Sequence, residues 1–327
     1  MDSKRIQIDT LRGIACILLI SYHIIGSTPE NGLRIESGMF REINDILAYL
    51  RMPLFTFLSG VVYAYRPFNN NSLKFISKKS RRLLLPMLTV GTTFAVLQSI
   101  TPGTNSNINS WHLVHIIPVA HFWFIESLFI LFLLIVMLEK LHVFSTKKGG
   151  FTIFTLTSLL YISPLKIDYF SISGFIYLTP FFLFGMAIER YKLLTKINPV
   201  IFSLIALTAL LSYACIYFGY IEPKGKRSIL GLTIGLLSCT TMYLSGLKIR
   251  TLAWIGTFSY SIYLYHVFFT AGTRILLERV FSADNYIIFS ASLIATIFGT
   301  IYIEKIFEKS NATRILLLGK SRIKPNQ

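Results

Sequence analysis

INPVIFSLIALTALLSYACIYFGYI, residues Ile197–Ile221, runs without a single Asp, Glu, Lys or Arg. A helix that crosses a bilayer needs about 20 mostly apolar residues, because the hydrocarbon is roughly 30 Å thick and each residue adds about 1.5 Å. This run is long enough, and it has company. Gly13–Pro29, Tyr169–Ile188, Ser228–Leu247, Thr251–Thr273 and Tyr286–Ile303 lack the same four residue types. Leu83–Ile125 is longer still and holds two spans around a polar stretch, Thr101–Ser110. Ile46–Tyr65, His121–Leu138 and Phe151–Leu165 are shorter or interrupted runs. The pattern predicts an all-α polytopic membrane bundle of about ten transmembrane helices. Its weakest members are the short fifth helix and the second, which contains Arg51.

Composition agrees. Of 327 residues, 53% are hydrophobic and 14% charged, with a mean hydropathy of +0.60. A soluble domain carries about 25% charged residues, so an ordinary soluble enzyme is excluded. The net charge is +17. Most of the basic residues fall in the N-terminal segment, in 66–82, 140–148, 190–196 and 248–250, and in the tail. Those segments alternate between spans, as the positive-inside rule requires when both termini are cytoplasmic. The charge therefore reports topology and not nucleic-acid binding. Cys16, Cys215 and Cys239 lie inside apolar runs, an odd set that supports neither a disulfide framework nor a paired-cysteine zinc site. The first run lacks a small-x-small cleavage pattern and reads as a retained helix. The division expected is a membrane domain, 1–303, and a basic cytoplasmic tail, 304–327, whose apolar patch Ile315–Leu318 lies on the anionic inner leaflet. Gly231-x-x-x-Gly235 suits a close helix crossing.

Ionisable groups inside a span are costly and mark functional candidates. His23 lies about 16 Å beyond Arg12 along the first helix, and His266 about 18 Å beyond Trp254 along the ninth. Glu126 lies about 8 Å below the outer end of the fourth, counted from His121. The three can share one layer, and two His with a Glu at one depth suit general acid/base work or a proton relay. Each is otherwise a polar side chain satisfied by neighbouring helices. Arg51 is expected to snorkel to the outer interface. His112, His115 and His121 read as solvated loop histidines, and their spacing makes no metal site. On the cytoplasmic side Lys78-Lys79-Ser80-Arg81-Arg82 puts Lys79 and Arg82 on one helical face. The cluster suits phosphate groups, or reflects only the positive-inside bias. The outer loop Thr101–Val119 offers Trp111, His112 and asparagines that could stack and hydrogen-bond on a sugar, or anchor at the interface.

Five motifs in order make the sequence resemble the acyltransferase 3 family, integral membrane enzymes that acylate bacterial surface sugars. Arg5-x-x-x-Asp9-Thr10-Leu11-Arg12-Gly13-Ile14-Ala15 followed by His23 is similar to its Arg–ten residues–His signature. Met52-Pro53-Leu54-Phe55-x-Phe57-Leu58-Ser59-Gly60 resembles its second-helix motif. Lys79-x-x-Arg82 resembles its Arg-x-x-Arg motif, with Lys in the first place, which keeps the charge and loses the bidentate fork. His121-Phe122-Trp123-Phe124-Ile125 and Gly256-x-x-Ser259-Tyr260-Ser261-Ile262-Tyr263-Leu264-x-His266 are similar to its aromatic and late motifs. The resemblance, to a stand-alone membrane version, covers residues 5–266.

The resemblance implies an acyl-CoA donor, usually acetyl-CoA, approached from the cytoplasm, and a glycan or lipid-linked sugar acceptor in the bacterial inner membrane. No metal and no nucleic acid is implied; membrane lipid is the remaining partner. Carried over, His23 is the catalytic base, Arg12 supports it or the donor, and Lys79 and Arg82 contact the CoA phosphates. Glu126 has no counterpart there; our own expectation is that it orients His23, with His266 completing the catalytic set. A sugar hydroxyl is a poor nucleophile, and a neutral His that takes its proton accelerates attack on a thioester by roughly 10²–10⁴-fold. Ser59, Tyr260 and Tyr263 carry hydroxyls suited to the oxyanion or, for Ser59, the donor; Trp123, Tyr260 and Tyr263 are expected at the substrate. No Gly-x-Ser-x-Gly elbow is found, which favours direct transfer over an acyl-serine. The alternative function is a polysaccharide or lipid-linked sugar transporter of the same architecture, with the His and Glu as a proton relay and no CoA site.

Overall fold

The computed structural model describes residues 3–68, 71–101, 110–195, 197–222, 225–281 and 283–323. Among them every regular element is helical: α1 (Ser3–Ile25), α2 (Met39–Ile46), α3 (Ala48–Tyr65), α4 (Ser72–Ile100), α5 (Trp123–Lys140), α6 (Lys147–Ile162), α7 (Ile172–Arg190), α8 (Pro199–Tyr217), α9 (Ile229–Leu244), α10 (Arg250–Thr257), α11 (Ser259–Phe281), α12 (Asn285–Phe307) and α13 (Asn311–Leu316). Side-chain caps start several of them. Asn198 accepts from Ile201 N before Pro199 opens α8, Ser228 accepts from Gly231 N at α9, and Asp284 accepts from Tyr286 N and Ile287 N at α12. Each cap satisfies amides that the first turn cannot pair internally.

Among the described residues seven helical stretches are long and apolar enough to cross a membrane: Ser3–Ile25, Met39–Tyr65, Ser72–Ile100, Ala120–Lys140, Tyr169–Arg190, Pro199–Tyr217 and Asn285–Phe307. The expected fifth and eighth spans are α6 and α9, helices of 16 residues each. The expected ninth span, Thr251–Thr273, is two helices broken at Phe258. α11 is long enough to span but too polar to be counted with the seven. The break also shortens the reach to His266, which stands seven residues into α11 and not twelve into one straight rod.

The centre of the bundle is α3 crossed by α7 and α1 crossed by α10. Both crossings close over glycine. A Cβ at Gly60 would strike the Phe182 carbonyl oxygen, and one at Gly185 the Phe57 carbonyl oxygen. A Cβ at Gly13 would strike the Leu252 oxygen, and one at Gly256 the Asp9 oxygen. Without side chains the backbones touch, which is how membrane helices gain packing when lipid supplies no hydrophobic drive. Gly231 and Gly235 do the same service for α9, against Tyr49 and Phe181. α8 forms the opposite case. Only 11% of its apolar window is buried, so Leu204, Leu207, Leu210 and Leu211 face outward, the surface lipid requires.

One expectation about the ends of spans is corrected. Arg51 does not snorkel: its residue is 3% exposed, with Nη2 donating to Asn44 O at 2.8 Å and to Asn44 Oδ1 at 3.0 Å. Its guanidinium carbon stands 4.1 Å from the centre of the Tyr22 ring. Part of the tail's apolar patch packs on the bundle, while Leu316 stays exposed. Leu318 is fully buried, Thr89 Oγ1 donates to Leu316 O at 2.7 Å and Tyr265 OH to Leu317 O at 2.8 Å. The boundary set at residue 304 falls inside α12, where buried Glu304 pairs with Lys320.

Candidate active site

Three histidines from three elements meet beside a cavity. His23 comes from the last turn of α1, His121 from the short 3₁₀ turn Ala120–Phe122 that leads into α5, and His266 from α11. The His266 ring centroid is 4.6 Å from that of His23 and 4.7 Å from that of His121, and His23 and His121 are 6.1 Å apart. His266 Nδ1 faces Ile262 O at 3.0 Å and Tyr263 O at 2.8 Å. Two carbonyls can only accept, so Nδ1 carries the hydrogen and Nε2 keeps a free lone pair. That Nε2 and both His121 nitrogens have no hydrogen-bond partner among the described residues. No group of three His, Cys, Asp or Glu among those residues could hold a metal ion.

His23 and His121, but not His266, line a cavity of about 630 Å³ together with Tyr22, Arg51, Trp123 and Tyr263. Loop residues Ser27, Asn31, Lys226 and Arg227 also line it, with Ser173 from the first turn of α7. A second cavity, about 280 Å³, is lined by Arg12, Phe55, Ser59, Arg82, Tyr260 and Tyr263. Among the described residues the two have one lining residue in common, Tyr263. A third, about 760 Å³ and basic, opens between Lys4, Arg5, Arg12 and Arg66, with Asp9 its acid; it shares Arg12 and Thr257 with the second. The order is a basic mouth, a narrow middle chamber and the histidine chamber.

The expected site residues divide along that line. His23, Trp123 and Tyr263 face the histidine chamber; Arg12, Ser59, Arg82 and Tyr260 face the middle one. Arg12 Nη1 is held by Asp9 Oδ1 at 3.2 Å. Arg82 lies 3.8 Å over the Tyr260 ring. Lys79 parts from it, its ammonium 3.5 Å over the Phe132 ring and outside these linings, a cation–π contact in place of a phosphate-facing one. The hydroxyls are engaged: Ser59 Oγ donates to Phe55 O at 2.9 Å, Tyr260 OH to Arg82 O and Tyr263 OH to His121 O. As placed, none of them donates to an oxyanion.

Glu126 is not with the histidines. Its Oε2 accepts from Ser171 Oγ at 2.6 Å, while Ser127 Oγ donates to Ser171 O at 2.9 Å. Ser171 and Phe170 both sit at φ 50°, the left-handed region that non-glycine residues avoid. Glu126 thus pins a strained start of α7 onto α5. His121 is the reverse case, expected in solvent and found 4% exposed in the histidine group. Its one signal was its place next to Phe122 and Trp123 at the helix start, at the outer end from which the depth of Glu126 was counted. Of the outer loop, Asn105, Asn107 and Asn109 lie outside the described residues, as does Lys196; His115 Nε2 stands 3.0 Å from Thr92 Oγ1, and burial holds its pKa below the ordinary histidine value.

A family model described as an acyltransferase domain, of the acyltransferase 3 type, matches residues 5–305. No curated protein and no solved structure matches.

Proposed function

The chain belongs to the acyltransferase 3 family of membrane acyltransferases, and from that we propose an O-acetyltransferase that moves acetyl from cytoplasmic acetyl-CoA to a hydroxyl of a surface-polysaccharide or lipid-linked sugar. In this reading the protein sits in a bacterial inner membrane with both termini cytoplasmic. The nucleotide phosphates of the donor meet the cations of the basic mouth, Arg5, Arg12 and Arg66, and Arg82 in the middle chamber. The pantetheine arm runs through that chamber towards Tyr263. The acceptor enters the histidine chamber past its loop residues and stacks on Trp123. The chain of shared lining residues, Arg12 and then Tyr263, is the observation that carries this reading.

His23 takes the hydroxyl proton as the sugar oxygen attacks the thioester carbonyl carbon. The tetrahedral intermediate then collapses, the carbon–sulfur bond breaks, and the CoA thiolate leaves and is protonated from the His23 imidazolium. His266, its Nδ1 proton fixed by two carbonyls, packs edge-on against the His23 ring at 4.6 Å and positions the base through that contact, so that attack proceeds from one ring orientation. The family favours this reading over transport. The test is transfer of radiolabel from acetyl-CoA to a mixed extract of lipid-linked glycans, by membranes holding wild type or His23→Ala. Label with the wild type and a loss of at least 100-fold in the variant is expected. Equal labelling would remove His23 as base, and no transfer with no CoA binding would remove the enzyme assignment.

A further inference from the structure

The histidine chamber has a charge pattern that a neutral sugar does not explain. Among the described residues three cations line it, Arg51, Lys226 and Arg227, and no carboxylate does. Arg227 is occupied: its guanidinium donates to Tyr161 O at 3.0 Å and Ser163 O at 2.9 Å, closing the C-terminal end of α6. The other two are not so used. Arg51 is buried with one nitrogen on Asn44, and its Nε has no hydrogen-bond partner among the described residues. Lys226, from the loop before α9, directs its ammonium to the same ring that Arg51 covers, 5.9 Å from the Tyr22 centroid against 4.1 Å for Arg51. Asp45, one of the two acids of α2 with Glu42, pairs with Arg41 at 3.6 Å and is 58% exposed; its charge acts on Arg51 and Lys226 from outside the chamber lining.

Two like charges drawn over one aromatic ring repel, and a buried guanidinium with an unpaired donor is costly. Both costs vanish when an anion lies between them. The position is next to the base, since Tyr22 and His23 have ring centroids 4.9 Å apart. We propose that the acceptor is an anionic sugar, bearing a carboxylate or a phosphate that Arg51 and Lys226 hold while a hydroxyl of the same molecule faces His23. The inference rests on the acyltransferase reading for its hydroxyl and on the chamber alone for its anion. Arg51 is the fixed, forked partner and Lys226 the mobile one on the loop, so the first sets orientation and the second aids capture.

The test uses the full-length protein in nanodiscs with three probes: p-nitrophenyl β-D-glucuronide, p-nitrophenyl β-D-glucoside and glucose 6-phosphate. Equilibrium binding is measured by calorimetry, acetyl transfer from labelled acetyl-CoA in parallel, on wild type, Arg51→Gln and Lys226→Gln. The glucuronide or the phosphate is expected to bind at least tenfold tighter than the glucoside, and each substitution to erase the preference while acetyl-CoA binding persists. Which of the two anions wins identifies carboxylate or phosphate. Lys226 is a loop side chain, so its variant still reports if Arg51→Gln does not fold. Anion binding sensitive to Lys226→Gln without any acetyl transfer would support the anion site and sink the enzyme reading. Equal binding of glucoside and anions, or a preference untouched in Lys226→Gln, would overturn the inference. So would loss of acetyl-CoA binding in Lys226→Gln, because the chamber's cations would then belong to the donor.

Discussion

His266 shows how little a residue needs to do to matter. Its Nδ1 hydrogen is committed to its own helix, so it cannot carry protons through the chamber unless that bond breaks. Replacing it with Phe should leave acetyl-CoA binding intact and cut transfer with a shifted pH–rate profile, since His23 would lose its orientation. Glu126 should behave the other way. Glu126→Ala removes the acceptor of a buried hydroxyl, a loss of about 1–3 kcal/mol, so detergent-solubilised protein should melt earlier while kcat per folded molecule stays near wild type. A large kcat loss at unchanged Tm would restore it to the catalytic set. For Lys226, burial, and then the charge of Arg51, lower its pKa below that of an ordinary lysine, with the Asp45 carboxylate opposing them in part. The protonated form is the cation that holds an anion. The preference for an anionic acceptor should therefore fade as pH rises, at lower pH than lysine usually titrates, and Lys226→Arg should extend it upward.

At the scale of elements, the glycines separate packing from chemistry. Gly256→Ala drives a methyl into the Asp9 backbone at the α1–α10 crossing and should cost about 1–3 kcal/mol. Gly272→Ala, in α11 with open space around it, should be neutral or stabilise by up to about 1 kcal/mol through helix propensity. Thermal unfolding in one detergent compares the pair. The same elements show what could be read beforehand. His23 and His266 stood out because a histidine in an apolar run is conspicuous, and the helices were legible from runs free of charge. His121 was not, because a histidine at a helix start beside a loop reads the same whether it points to water or inward. The break at Phe258 leaves no Pro or charge in the sequence, and the pairing of α3 with α7 is decided by glycines whose partners lie more than a hundred residues away.

For the whole molecule the expectation is one membrane domain with both ends on one side. Ser321→Cys should react with an impermeant maleimide only after the inner face is opened, and Glu30→Cys from outside; the reverse result would invert the topology and with it the side from which the donor comes. The tail adds a mechanical link, since the carbonyls of Leu316 and Leu317 hold Thr89 and Tyr265. Truncation before residue 315 should loosen the middle chamber and weaken acetyl-CoA binding even though no tail residue lines that chamber.

Among the described residues, Tyr263 is the one that lines both the middle chamber and the histidine chamber. On the proposed function, an acyl group passes from one side of the membrane to the other, and it must do so without short-circuiting that membrane. On the proposed route a single aromatic ring, tied by its hydroxyl to the His121 carbonyl, would be the septum. Tyr263→Ala would then do more than slow a reaction. It should let protons and small solutes through, and liposomes carrying that variant should dissipate an imposed pH gradient that wild-type liposomes hold. Insulation and catalysis would be properties of the same residue.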